Sequence, residues 1–347
     1  MEKGARATTR PAGGRFVPVM SARVRSAGQT VARHLVLAYR PGWQSLDDLN
    51  AIAGHVGDID PTIATFIVPT THRNLVTRKR AAERPTLIVS PGRMRVFKPL
   101  RGKVYQGWPI PKIEEVRRLQ AAGVPVPKTE ILTPDLRLDP DDWGKFVIVK
   151  PTDILTSSHG EGVQLMRTHR VRYTPPRDYP EGHPGRRGPM MVQQFVDTGT
   201  RLRSHRVTTL FGEPISAIVH TSLAPRVDLA APDTDIETAA VAIQSAGGSR
   251  ETEFLADPEI LSLAKAAHEA LPEIPLKGCD ILRDVVTGKL YVIELNCGGN
   301  TWHFSSKFLA ERRKKLGPEF ELRRRQQFDA FRTAARVLVE RTNAEAE

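Results

Sequence analysis

Residues 291–300 read YVIELNCGGN, and this stretch carries the fold prediction. A run of apolar, strand-forming residues contains Glu294 and Asn296 two places apart, and then breaks into Gly298-Gly299. Side chains two positions apart in a β-strand point to the same face of the sheet. The carboxylate and the amide are therefore expected to lie side by side at the end of a strand.

The preceding segment, KGCDILRDVVTGKL, predicts a hairpin partner for this strand. Its three-residue turn, Val-Thr-Gly, suits a loop with Gly288 in the left-handed conformation. Such a loop pairs Val285 with Lys289. Counting outward from that pair, Asp280 is expected to lie directly opposite Glu294.

The same register brings an oxygen-rich set of side chains together. Asn296 faces Gly278, which leaves space beside the amide. Two acids that face each other repel unless a cation or a basic group lies between them. Carboxylate and amide oxygens suit Mg²⁺ or Mn²⁺. The predicted metal ligands are Asp280, Glu294 and Asn296; a salt-bridged, exposed hairpin is the alternative.

The composition is that of a soluble globular chain. The sequence has 347 residues, 40% of them hydrophobic, and no apolar run long enough for a membrane span. The two cysteines form neither a disulfide framework nor a CxxC pair, which is typical of a reducing compartment. We expect a cytoplasmic protein with no membrane partner.

The net charge of +12 lies entirely in the N-terminal third. Residues 1–110 contain 18 Lys and Arg against 6 acids, and the rest of the chain has 33 of each sign. Residues 1–31 are expected to be a disordered basic head, although a targeting segment or a nucleic-acid tail are alternatives. A second basic cluster could face an anionic substrate or nucleic acid, or be a solvated surface: His72, Arg73, Arg78, Lys79, Arg80, Arg93, Arg95, Lys98, Arg101 and Lys103.

Short apolar segments alternate with a helical one in residues 32–108, which predicts a small α/β lobe. Helical spacing then appears in PKIEEVRRLQAAG, and several strands and two further amphipathic helices follow it. The second of these helices covers PEFELRRRQQFDAFRTAARVLVERT as one unit. Its apolar side chains are expected to pack either on the core or on another subunit of a homo-oligomer.

A possible phosphate-binding segment precedes the hairpin. In KFVIVKPTDILTSSHGEGVQL, Lys150 leaves a predicted strand, and a turn rich in Gly, Ser and Thr follows. Backbone N–H groups and hydroxyls of such a turn can contact phosphate oxygens while an ammonium group neutralises them. Without further context, an ordinary hairpin turn is the alternative.

Six motifs in order supply that context. They are PKIEEVRRLQAAGVPVPKT, FVIVKP with SSHGEGVQL, VQQFVDTG, HRVTTLFGEPISAIV, GCDIL and YVIELN. Together they resemble the ATP-grasp superfamily, within it the branch of glutathione synthetase and the ribosomal-protein glutamate ligases, over residues 108–306. The resemblance implies an α/β, ATP-grasp α+β fold. Its expected units are the head (1–31), an N-terminal lobe (32–108), a central lobe with a glycine-rich lid (109–197) and a C-terminal lobe (198–347).

The resemblance also implies roles for single residues. Lys112 and Lys150 match the two ATP-contacting lysines, and Arg206 matches an arginine that steadies the transferred group. Asp280, Glu294 and Asn296 match the metal ligands. The lid is matched by Ser157, Ser158, His159, Gly160 and Gly162, and the adenine and ribose contacts by Gln193, Gln194, Phe195, Val196 and Asp197. The alternatives are an ordinary solvent-facing strand residue for Gln193 or Gln194, a turn cap for Asp197 and a surface arginine for Arg206.

The activity that the resemblance implies is ADP-forming ligation with ATP and Mg²⁺ or Mn²⁺. A small-molecule or peptide carboxylate would become an acyl phosphate, which an amine or thiol then attacks. One alternative is an ATP-grasp kinase that phosphorylates a hydroxyl. Another is a non-catalytic protein that binds a nucleotide or nucleic acid through the basic lobe, although a complete metal and lysine set exceeds what ATP sensing requires.

Overall fold

The structure is a computed structural model that describes residues 30–152, 161–239, 250–298, 302, 304, 314 and 316–347. Residues 1–29 of the predicted head, and Ser157, Ser158, His159 and Gly160 of the predicted lid, lie outside the described residues. No helix in the described part is long and apolar enough to cross a membrane.

The first sheet is parallel, with strand order β2-β1-β3-β4. It consists of β1 (Arg33–Tyr39), β2 (Ile63–Pro69), β3 (Thr86–Ser90) and β4 (Lys103–Gln106), with helices α1 (Leu46–Ile59) and α2 (Leu75–Ala81) in the connections. Strand β1, which lies between β2 and β3, is buried along almost its whole length. Continuous apolar runs of this kind are typical of parallel strands covered on both faces.

The second sheet is antiparallel, with strand order β5-β8-β6-β7. It follows helix α3 (Lys112–Ala121) and consists of β5 (Thr129–Ile131), β6 (Phe146–Pro151), β7 (Gln164–Arg167) and β8 (Met190–Gln194). Helix α4 (Pro140–Trp143) precedes β6, and three 3-10 helices lie between β7 and β8, at Thr168–Arg170, Pro176–Asp178 and Pro184–Arg186.

The third sheet is also antiparallel, with strand order β11-β10-β9-β12-β13. Its strands are β9 (Arg201–Leu210), β10 (Glu213–Pro225), β11 (Arg250–Phe254), β12 (Leu276–Arg283) and β13 (Leu290–Asn296). The helices of this part are α5 (Asp233–Thr238), α6 (Pro258–Glu269), α7 (Glu319–Gln326) and α8 (Ala330–Glu345). The predicted α/β class is confirmed: a parallel α/β sheet precedes two antiparallel α+β sheets, the arrangement that the resemblance implies.

The C-terminal stretch predicted as one long helix is two helices. α7 ends at Gln326 and α8 begins at Ala330. Between them Asp329 has a φ of 44°, a left-handed conformation that interrupts a right-handed helix. The apolar side chains of α8, such as Leu338 at 2% exposure, pack in the core formed with α1 and the first sheet. α8 thus packs on its own chain.

Candidate active site

The strand pair β12–β13 has the predicted register at the site, but reaches it differently. Asp280 lies opposite Glu294, and Gly278 lies opposite Asn296. The predicted three-residue loop is wrong. Lys289 pairs with Asp284 and not with Val285, because the Asp284 N–H donates to the Lys289 carbonyl oxygen at 2.9 Å. The loop therefore has four residues, 285–288.

A register shift corrects this difference before the site. Ile281 pairs with Val292, whereas Asp280 pairs with Glu294, so Ile293 is an extra residue in β13. The β-bulge adds one residue to β13, and the longer loop had moved the pairing by one residue in the other direction. The two deviations cancel, and the carboxylates of Asp280 and Glu294 lie on the same face.

Arg206 on β9 completes a row of charged side chains across the third sheet. It lies directly opposite Asp280, and its Nε donates to Asp280 Oδ1 at 2.6 Å while its Nη2 donates to Oδ2. Asn296 Nδ2 donates to the same Oδ2 at 3.0 Å. Burial lowers the pKa of the Arg206 guanidinium, but the Asp280 carboxylate outweighs burial and raises that pKa above its ordinary value. Arg206 therefore remains a cation.

Lys150 lies near the end of β6 and points into a polar network of the second sheet. Its Nζ donates to Gln193 Oε1 at 2.7 Å, and Gln193 Nε2 donates to Thr129 Oγ1 at 2.9 Å. Lys150 and Gln193 are 9% and 4% exposed. The Gln193 amide thus fixes the position of the Lys150 ammonium group, a contact that the sequence does not predict.

Lys112 and Glu115 of α3 connect the second sheet to β13. Lys112 Nζ lies 3.9 Å from Glu294 Oε1. Glu115 lies one helical turn after Lys112, and its Oε1 accepts a hydrogen bond from the Leu295 N–H at 2.7 Å. Glu115 Oε2 is buried without a hydrogen-bond partner among the described residues. Lys112 of α3 and Lys150 of β6 therefore meet the two acids beside the end of β13.

The charges at this junction shift each other's pKa. Burial, reinforced by Glu294, raises the pKa of the Glu115 carboxyl to about 8. Burial, reinforced by Lys112, lowers the pKa of the Lys150 ammonium group to about 8, against the opposing effect of Glu294 and Glu115. Strongly shifted groups that converge in this way are a feature of functional sites.

Glu115→Gln is expected to stabilise the protein increasingly between pH 4.5 and 8. The carboxyl ionises near pH 4.5 when unfolded but near pH 8 when folded, so the folded chain binds more protons in this window. Its contribution to the free energy of unfolding is present below pH 4.5 and is lost as pH rises to about 8. The slope is about 1.4 kcal/mol per pH unit, and a Gln side chain lacks it.

Denaturant unfolding across this pH range tests the prediction, with Glu130→Gln, at an exposed position of β5, as the matched control. Gln at position 115 keeps the Oε1 acceptor for the Leu295 N–H, so lost hydrogen bonding should not mask the effect. A difference between variant and wild type that does not change with pH would contradict the assignment.

The predicted hinge follows β8. Val196 is buried, and the rings of Phe195 and Phe146 lie edge to face at 6.4 Å between centroids. The Asp197 carboxylate accepts hydrogen bonds from Arg226 Nη2 at 3.1 and 3.2 Å and from the Gly199 N–H at 2.8 Å. Asp197 therefore already has an ion-pair partner, a contact that its predicted ribose role must accommodate.

Gln194 and Gly162 complete the predicted site residues that the structure describes. Gln194 is half-buried at the end of β8, opposite Val147. Gly162 has a φ of 71°, and a β-carbon there would lie 3.0 Å from Pro184 and 3.2 Å from Pro151. A glycine is thus required at the point where the chain re-enters the described part before β7.

Glu115 is the residue of this site that the sequence prediction omits. A signal for it exists, because Glu115 shares the helical spacing of Lys112, Val116 and Leu119 and so occupies the buried face of α3. An acid at a core-facing helical position is rare without a partner or a function.

The three predicted metal ligands offer oxygen atoms on one face. Asp280 and Glu294 supply the two carboxylates, and Asn296 lies within hydrogen-bond distance of Asp280. No group of three or more His, Cys, Asp or Glu side chains in the described ranges could hold a metal ion. A cation here would therefore need the amide, phosphate oxygens or water as further ligands.

No protein-family model matches the sequence, and no curated protein matches it. Among solved structures, the fold is similar to the D-cycloserine synthetase DcsG, with 16% identity, a TM-score of 0.46, and 89% of this chain and 99% of that chain covered. It is similar to D-alanine–D-alanine ligase from Bacillus anthracis, with 13% identity, a TM-score of 0.41, and 89% and 99% covered.

A third similar structure is the ATP-grasp ligase PsnB, in complex with a phosphomimetic variant of a minimal precursor, Mg and ADP. Its identity is 14% and its TM-score is 0.45, with 90% of this chain and 100% of that chain covered. The superfamily of PsnB is the one that the sequence motifs resemble. At these identities and TM-scores, the roles of individual residues rest on the geometry of the site alone.

Proposed function

We propose that this chain is an ATP-grasp ligase that activates a carboxylate as an acyl phosphate and passes the acyl group to an amine or a thiol. The observation that carries the proposal is the junction of the second and third sheets. There, Lys112 and Lys150 converge with Glu294, next to the row of Arg206 and Asp280. Buried cations beside paired carboxylates suit a polyphosphate with a divalent cation.

In this proposal, the two lysines neutralise part of the negative charge of the reactants. ATP and a carboxylate substrate are both anionic and repel each other. Lys112 and Lys150 offset this repulsion at the phosphates, and the hydrogen bond from Lys150 Nζ to Gln193 holds one ammonium group in place before ATP binds. Such a preorganised cation stabilises charge that develops in the transition state without a reorganisation cost at that moment.

Arg206 is the residue that we propose stabilises the transferred group. Two of its nitrogens, Nε and Nη2, bond Asp280, which fixes the plane of the guanidinium. Nη1 would then donate to an oxygen of the acyl phosphate. An arginine whose orientation is set by a bidentate carboxylate offers that donor in one direction only.

Asp280, Glu294 and Asn296 would hold Mg²⁺ or Mn²⁺, and they fit such an ion because their oxygens share one face. The ion supplies neutralisation of the phosphate oxygens when it is bound. Asp280 bonds Arg206 through both oxygens, so it would contribute through its remaining lone pairs. We further propose that Gln194, Phe195, Val196 and Asp197 contact adenine and ribose, and that 157–162 covers the phosphates.

An ADP-release assay over pooled amino acids, peptides and dicarboxylates tests the activity. With an active pool, the carboxylate is labelled with oxygen-18. We expect one labelled oxygen in the released phosphate, because the acyl phosphate breaks at the carbonyl carbon. A phosphorylated product without labelled phosphate would identify the kinase alternative. Absence of ADP release together with salt-dependent binding of DNA or RNA would favour the non-catalytic alternative.

A further inference from the structure

The two faces of the first sheet have different coverings. One face packs on α1 and α8. The other contacts Ala81 of α2 together with Met94 and Phe97 from the loop 91–102. The Phe97 N–H donates to the Thr70 carbonyl oxygen at 3.4 Å, which joins this loop to the end of β2. α2 and the loop therefore form one outer layer, whose other side faces solvent.

Aliphatic side chains are exposed on this layer. Leu75 and Val76 at the start of α2 are 58% and 62% exposed. Val96 and Leu100 in the loop are 41% and 58% exposed. Single exposed apolar residues are ordinary, but four on two adjoining segments are what an interaction surface contributes to a partner.

The same layer is strongly basic. Residues 70–110 contain ten Lys and Arg and one acid, Glu83. Several of the basic residues are exposed and form no salt bridge with another described residue, and five of these lie on α2 or in the segments beside it: Arg73, Lys79, Arg93, Arg95 and Lys98. These five together with Leu75, Val76, Val96 and Leu100 are called the basic face below.

We propose that the basic face docks an acidic peptide segment that also carries aliphatic side chains. Charge complementarity fixes the sign of the partner, because the face has many cations and almost no acid to balance them. The exposed leucines and valines add the apolar requirement. A partner with both features contacts every component of the face.

Two other anionic partners fit less well. Single-stranded nucleic acid is bound by combining cations with aromatic stacking platforms, whereas the exposed large apolar residues of 70–110 are all aliphatic. A membrane-surface helix separates its apolar side chains from its basic ones. Here Arg95 and Val96 are neighbours and both exposed, and α2 has only seven residues.

The basic face lies at the edge of the first sheet that is near the candidate active site. α2 and the loop follow the C-terminal ends of β2 and β3. Gly107 lies at that same edge, and a β-carbon there would lie 2.0 Å from the Pro91 carbonyl oxygen and 2.6 Å from that of Cys297. Cys297 directly follows Asn296, so a peptide bound at this edge lies near the candidate site. Any role as substrate rests on the proposed function, whereas the docking does not.

Fluorescence anisotropy tests the docking with two labelled peptides of equal charge. One repeats Glu-Glu-Leu-Ser four times, and the other repeats Glu-Glu-Ser-Ser four times. The variants are Lys79→Glu/Arg95→Glu and Leu75→Ser/Val76→Ser. The control is Lys145→Glu/Lys289→Glu, which makes the same change in net charge with two exposed lysines of other regions. Circular dichroism verifies that each variant is folded.

We expect the wild type to bind the Leu-containing peptide more tightly than the Ser-only peptide. Charge reversal on the basic face should weaken binding about tenfold or more, against about twofold for the control. The Leu75→Ser/Val76→Ser variant should lose the preference for Leu. Equal weakening by the face variant and the control would overturn the proposal. So would displacement of the peptide by oligo-thymidine or by phosphatidylserine vesicles at lower concentration than by unlabelled peptide.

Discussion

Glu294→Gln is expected to abolish nucleotide-dependent turnover and leave the fold intact. Glu294 faces Asp280 across the strand pair and lies 3.9 Å from Lys112, so its charge serves both the proposed cation and one lysine. Gln has the same shape but no charge. Loss of one preorganised electrostatic contact at a reacting group lowers kcat by roughly a hundredfold to a thousandfold, and loss of a metal ligand adds to that.

The measurement is ADP release with an active substrate pool, beside thermal unfolding of the same preparation. Glu130→Gln, an exposed acid on β5, is the matched control and should retain wild-type turnover. Glu294 is partly exposed, and its side chain is not part of the apolar core. The unfolding midpoint of the variant should therefore stay within a few degrees of the wild type. ADP production at the wild-type rate by the Glu294 variant would refute the assignment of this strand.

Lys150→Met is expected to weaken ATP binding by about a hundredfold or more, with a small effect on stability. Lys150 is 9% exposed, and Gln193 already holds its ammonium group in place. In the proposed site, loss of this group leaves the phosphates without a preorganised partner. Met fills a similar volume. Removal of a buried charge, whose pKa burial lowers, offsets the loss of the hydrogen bond to Gln193.

Titration calorimetry with ATP and Mg²⁺ measures the affinity. Lys145→Met is the matched control, because Lys145 immediately precedes β6 and is exposed. We expect the Lys145 variant to bind like the wild type. A Lys150 variant with unchanged affinity would show that the phosphates bind elsewhere.

Local signals explain what could be predicted from the sequence. The periodicity of strands and the turn around Gly288 predicted that Asp280 and Glu294 face each other, and they do. The loop length was wrong, because Asp284 accepts the Val286 and Thr287 N–H groups at 3.0 and 2.7 Å and so stabilises a longer turn. The bulge that compensates leaves no clear trace in the sequence.

Contacts between distant segments could not be predicted. The pairing of Arg206 with Asp280 depends on β9 lying beside β12, and strand order does not follow from periodicity. The hydrogen bond from the Leu295 N–H to Glu115 joins segments 180 positions apart. Such contacts arise from tertiary packing, which outweighs local preference. The break at Asp329 is similar, since its helical pattern continues on both sides.

Labelling with an acyl-phosphate derivative of ATP tests the central claim, that ATP phosphates bind between Lys112 and Lys150. Such a probe transfers its acyl group to a lysine amine beside the terminal phosphate, and it requires no knowledge of the substrate. Peptide mapping by mass spectrometry then identifies the modified lysine. We predict labelling of Lys150 or Lys112 that excess ATP prevents. Labelling confined to other lysines, such as Lys79 or Lys98, or unaffected by ATP, would contradict the claim.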